Sequence, residues 1–137
     1  MTRKSRKMYQ VLADEACAAA VDIEGQAILL HRVAANGLPL GEFELTSIIN
    51  FVQHNIDIIA SNAYHWTKHR SAPLHASDYL AITQKLEALR EHAKFLQSVR
   101  SAHSYLTLDK AHIAEGAAIM RDAASDIYPF IARIAGF

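Results

Sequence analysis

Apolar residues along this 137-residue chain recur in alternating steps of four and three, the spacing of helices that each bury one seam. The clearest stripe is Leu45, Ile49, Val52, Ile56, Ile59, Ala63, Trp66. A second runs Ile113, Ala117, Met120, Ala124, Ile127, Ile131, Ile134, and a third, between them, Ile82, Leu86, Leu89, Ala93, Leu96. A fourth precedes these at Tyr9, Leu12, Ala16, Ala19, Ile23, Gln26, Leu30, Val33, broken only by Gln26 and carrying small residues that would let a neighbouring helix come close. No segment alternates with the two-residue period of a strand.

The punctuation between the stripes agrees with them. Asn36-Gly37-Leu38-Pro39-Leu40-Gly41 supplies a C-terminal glycine and a proline stop, and Ser71-Ala72-Pro73 ends the second helix. Ser77 before Asp78 and Thr107 before Asp109 are N-caps followed by acids that suit the helix dipole. Linkers this short make neighbours antiparallel. The pattern therefore predicts an all-α fold, an antiparallel up-down-up-down four-helix bundle, with helices near 5–35, 42–70, 78–104 and 108–135 in a single domain spanning 1–137. Pro129 predicts a kink in the last helix, because it lacks a backbone donor.

Composition narrows the class. A chain of this length hides roughly two thirds of its unfolded surface in one core, and 51% hydrophobic with 20% charged residues is globular composition. The most apolar stretch, around Ile48 to Ile59, contains Asn50, Gln53, His54, Asn55 and Asp57, so no membrane span is expected. The N-terminal Arg3-Lys4-Ser5-Arg6-Lys7 resembles a secretory n-region, but Asp14, Glu15, Asp22 and Glu24 follow it where such a leader must be apolar. A lone cysteine, Cys17, fits a reducing, cytoplasmic setting and forbids a disulfide framework. Residues 1–7 are expected to be a basic, frayed end.

Four constellations bear on function. Among eight histidines, His65 and His69 stand one helical turn apart, the spacing of a bidentate metal site, yet only His75 and Asp78 could join them and no Glu-x-x-His repeat is present. Solvated histidines beside a seam are the expectation, and no metal or other cofactor is implied.

The second is Arg70-Ser71-Ala72-Pro73-Leu74-His75, an arginine and a histidine separated by four residues. This hexapeptide, in an all-helical protein, resembles the signature of HEPN-domain ribonucleases. The resemblance implies metal-independent RNA cleavage at a helical dimer interface, with Arg70 and His75 as the catalytic pair and His75 in acid/base chemistry. It covers six residues and the fold class, and Pro73 stands where that family usually continues a helix. The other reading is a linker whose Arg70 answers a helix C-terminus.

Third, although 14 basic and 14 acidic residues cancel, an up-down bundle would gather Arg3, Lys4, Arg6, Lys7, Lys68, Arg70 and Arg133 at one pole, where they could hold nucleic-acid phosphates. The same residues also suit helix C-termini and a solubilising tail.

Fourth, Ile48, Phe51 and Ile58 form a second apolar stripe on helix two, and helix four adds Ile119, Phe130 and Phe137. That is more apolar surface than one small core needs, which points to a partner. No nucleophile elbow, phosphate loop or facing carboxylate pair is present. The sequence thus predicts a non-enzymatic helical interaction or assembly module, self-associating or docked in a larger complex through Ile48, Phe51, Ile58, Ile119 and Phe130. The alternative is a nucleic-acid-binding protein or HEPN-like ribonuclease using the basic pole.

Overall fold

The computed structural model describes residues 3–36, 42–68, 76–101 and 110–135, with side chains over 10–36, 44–65, 77–95 and 113–132. Four helices fill these segments: α1 (Arg3–Ala35), α2 (Glu42–Lys68), α3 (Ala76–Ser101) and α4 (Lys110–Ala135), and no strand occurs among the described residues. The expected caps Ser71 to Pro73 and Thr107 to Asp109, and Gly37 to Gly41, lie outside the described residues.

The helices form a four-helix bundle in which α1 packs on α2 and α4, and α3 packs on the same two. Among the described residues the diagonal pairs, α1 with α3 and α2 with α4, do not approach each other. The α1 and α4 pairing is the most extensive of the four, and α3 with α4 the least.

Each of the four seams carries a polar tie. Asn62 of α2 donates through Nδ2 to Leu12 O at 2.9 Å and to Glu15 Oε2 at 3.3 Å on α1. His31 Nδ1 of α1 donates to Ala114 O of α4 at 3.0 Å. Arg90 of α3 meets Asp57 of α2 at 3.0 Å, and Lys85 of α3 meets Asp126 of α4 at 3.8 Å. The two ion pairs are solvated and contribute roughly 0.2–1 kcal/mol each. The Asn62 tie matters more because its amide is buried, and losing it strands donors away from water.

Three stripes read from the sequence form the core wherever their side chains are described. Leu45, Ile49, Val52, Ile56, Ile59 and Ala63 are buried on α2, Ile82, Leu86, Leu89 and Ala93 on α3, and Ile113, Ala117, Met120, Ala124, Ile127 and Ile131 on α4. Trp66, Leu96 and Ile134 have side chains outside the described set.

On α1 the buried seam differs from the expected one. Ala16, Ala19, Ile23 and Leu30 are buried as expected, but Leu12, Gln26 and Val33 are only half-buried. Buried instead are Ala13, Ala27 and Ala34, each one position past these three, and Ala20, which completes the set at seven-residue spacing. Turning the helix toward its alanines brings its backbone close to α4, which itself offers Ala117 and Ala124. The close approach gains van der Waals contact along the whole seam, and Gln26 keeps its amide at the rim instead of burying it.

Candidate functional site

The five proposed anchors do not form one face. Ile48 is buried in the core, while Phe51, three residues on, is 40% exposed and Ile58 packs partly against the core. Ile119 is 42% exposed on α4, with Phe130 partly buried about three turns further along the same helix. Because α2 and α4 are diagonal, these residues lie on two separate sides of the bundle.

One side is the seam of α2 with α1. Phe51, Asn55, Ile58 and Asn62 follow one another at steps of four, three and four, so they share a helical face, and Asn62 bonds to α1. On α1, Glu15, Asp22 and Leu29 are spaced by seven and share the face that meets Asn62 through Glu15. Leu29 is 49% exposed. Leu29 on α1 and Phe51 and Ile58 on α2 thus lie on the helix faces that flank this seam, as do Glu15 and Asp22 on α1, and His54 and His65 are exposed on α2. The sequence reading overlooked Leu29, which the seven-residue interval from Glu15 could have revealed.

The α2 side of this seam contains a second buried amide. Asn55 is 4% exposed, and its Nδ2 donates to Phe51 O at 2.9 Å one turn back, the one bond its side chain makes among the described residues. Ile48, Asn55 and Asn62 recur every seven residues on the flank of α2 toward α1, so two of the three positions on this flank are amides.

The other side is the seam of α3 with α4. There Phe95 and Ile119, 47% and 42% exposed, flank a cleft of about 430 Å³ lined also by Glu91, His92, Glu115 and Gly116. The sequence offered no warning of it: Phe95 stands next to the seam residue Leu96, and Gly116 reads as a helix-weakening interruption between two stripe positions.

The remaining constellations are placed only in part. His65 is exposed and meets the ring of Tyr64 edge-on, with centroids 6.0 Å apart, while His69 and His75 lie outside the described residues. Among the described residues no group of three histidine, cysteine or acidic side chains could hold a metal ion. Arg3, Lys4, Arg6 and Lys7 fall in α1, Lys68 ends α2 and Arg133 falls in α4, but their side chains lie outside the described set, as do Arg70 and Phe137 altogether.

Cys17 is buried, and burial, aided by the charge of Asp14, raises its thiol above the ordinary range. The thiol is therefore held neutral and packs as a small apolar group, a poor nucleophile. No described helix is long and apolar enough to cross a membrane.

Compared with protein-family models, with curated proteins and with solved structures, the chain matches none.

Proposed function

We propose that this chain is a helical assembly module that pairs with a second copy of itself across the seam of α1 and α2, with Phe51 as the central anchor. The observation that carries this reading is the set of Leu29, Phe51 and Ile58, large side chains left in or near solvent beside a core that is already filled. An aromatic ring surrounded by aliphatic groups and a polar border is the make-up of an interface centre. The border is self-complementary in type, with carboxylates at Glu15 and Asp22 on one edge and imidazoles at His54 and His65 on the other. A two-fold axis through the seam would set each edge against its opposite in the partner copy. With 14 charges of each sign, no net repulsion opposes such pairing.

The up-down-up-down course belongs to this reading. It is supported by pairs such as His31 with Ala114 and Asn62 with Leu12, which join late positions of one helix to early positions of its neighbour. Replacing Phe51 with glutamate should leave helicity unchanged while lowering the solution mass measured by light scattering from oligomer to monomer. An unchanged mass, or a wild type that is monomeric at high concentration, would remove the proposal.

A second reading rests on the Asn62 to Leu12 bond, which sets the later part of α2 beside the earlier part of α1 and so favours gathering Lys68 with Arg3, Lys4, Arg6 and Lys7. Such a pole would bind nucleic-acid phosphates in a salt-dependent way, with the Arg70 and His75 pair adding HEPN-like RNA cleavage. Labelled RNA should then bind at low salt and dissociate at high salt, and wild type but not His75→Ala should cleave it in chelator. RNA that stays free at low salt would end this reading.

A further inference from the structure

The cleft between α3 and α4 has the features of a ligand site rather than of imperfect packing. Its volume, about 430 Å³, falls within the few-hundred-Å³ range of small-molecule pockets. It lies on the least extensive of the helix pairings. One step nearer the core, Ala93 and Ala117 are fully buried, so the opening is a surface feature over a closed interior.

Gly116 keeps it open. A glycine inside a helix is unfavourable by about 1 kcal/mol relative to alanine, and a Cβ built on Gly116 would meet nothing within 4 Å. Space that a larger side chain could occupy is thus left empty, between an aromatic wall at Phe95 and an aliphatic wall at Ile119.

The polar groups of the lining give the site its sign. Glu91 and Glu115 stand one on each helix, and neither has an ion-pair partner among the described residues. Elsewhere on the same seam the acid is matched: Asp126 has Lys85 across the interface, and Asp122 has Arg121 beside it. Among the described residues no lysine or arginine lines the cleft. An apolar trough between two carboxylates and an aromatic ring favours a ligand with an apolar body and a positive head, since the ring face and both carboxylates attract a cation.

We propose that this cleft binds a small amphipathic organic cation, an alkyl- or arylalkyl-ammonium, with the apolar body over Gly116 between Phe95 and Ile119 and the ammonium between Glu91 and Glu115. The site is separate from the α1 and α2 seam and does not depend on self-association.

The test is amide chemical-shift mapping by NMR with phenylbutylammonium, using phenylpentanoate as its anionic counterpart. The cation should produce saturable shifts centred on Phe95, Gly116 and Ile119, and the anion should bind at least tenfold more weakly. Changing Glu91 and Glu115 together to glutamine, at solvated positions that do not disturb the core, should weaken cation binding roughly three- to tenfold. Gly116→Leu should abolish it by filling the trough, with circular dichroism confirming an intact helical fold. Shifts spread over the whole surface, equal binding of the anion, or full binding by the glutamine variant would each overturn the proposal, and the last holds even if Gly116→Leu fails to fold.

Discussion

Replacing Ala20 with leucine is expected to destabilise the bundle by about 1–3 kcal/mol, lowering the thermal midpoint by on the order of 5–10 °C. Ala20 is fully buried on the helix whose pairing with α4 is the most extensive, and its neighbours along the seam, Ala13, Ala16 and Ala27, are equally enclosed. Three added carbons have no free volume to enter, so either α1 moves away from α4 or the new side chain leaves its rotamer well. The same substitution at the exposed Ala18, two residues earlier, should change the midpoint by less than about 0.5 kcal/mol equivalent. Thermal denaturation of the two variants checks the register of α1. Were Leu12, Gln26 and Val33 the true seam, Ala20→Leu would be as mild as Ala18→Leu.

The two buried asparagines of α2 are expected to respond in opposite directions. Asn62→Ala removes a donor that serves both a backbone carbonyl and a carboxylate of α1, at a cost of about 1–3 kcal/mol. Asn55→Leu removes an amide whose single bond goes to Phe51 O one turn back in its own helix, so no tie between helices is lost. A side chain of similar shape then enters an apolar place, and the protein should be unaffected or stabilised by up to about 2 kcal/mol. Urea denaturation distinguishes them. Equal destabilisation by both would mean that Asn55 makes an interaction with water or a partner that its single bond does not represent. The contrast also explains why both residues are tolerated: Asn62 fixes how α1 and α2 slide past each other, a role that buried amides serve in coiled coils.

These expectations show where the sequence was legible. On α2, α3 and α4 most buried positions carry large apolar residues, and the buried alanines Ala63, Ala93, Ala117 and Ala124 fall in step with them, so periodicity located these seams. On α1 the pattern was ambiguous, because alanine occupies both candidate seams and the rule that larger apolar side chains point inward favoured Leu12 and Val33. Backbone proximity to α4 decided the matter, and that is a property of two helices together. The expected contact surface reads as one patch in the sequence, and divides between two sides of the bundle, for a related reason. A stripe of Phe51 and Ile58 and an isolated Ile119 look alike in sequence, and only the order of helices around the bundle separates their sides. The cleft was illegible because it depends on a side chain that Gly116 lacks and on which residues of α3 and α4 face each other across a seam.

The pairing of α1 with α4 also bears on how the chain reaches its structure. Three of the four seams join helices adjacent in sequence and can form as local hairpins, with little loop-closure entropy to overcome. The seam with the most contact joins the first helix to the last, across the whole intervening chain. The greatest reward therefore arrives only when α2 and α3 are already arranged to bring those two helices together. Partial structures hold little of the final stability, and the four helices should be acquired and lost as a unit.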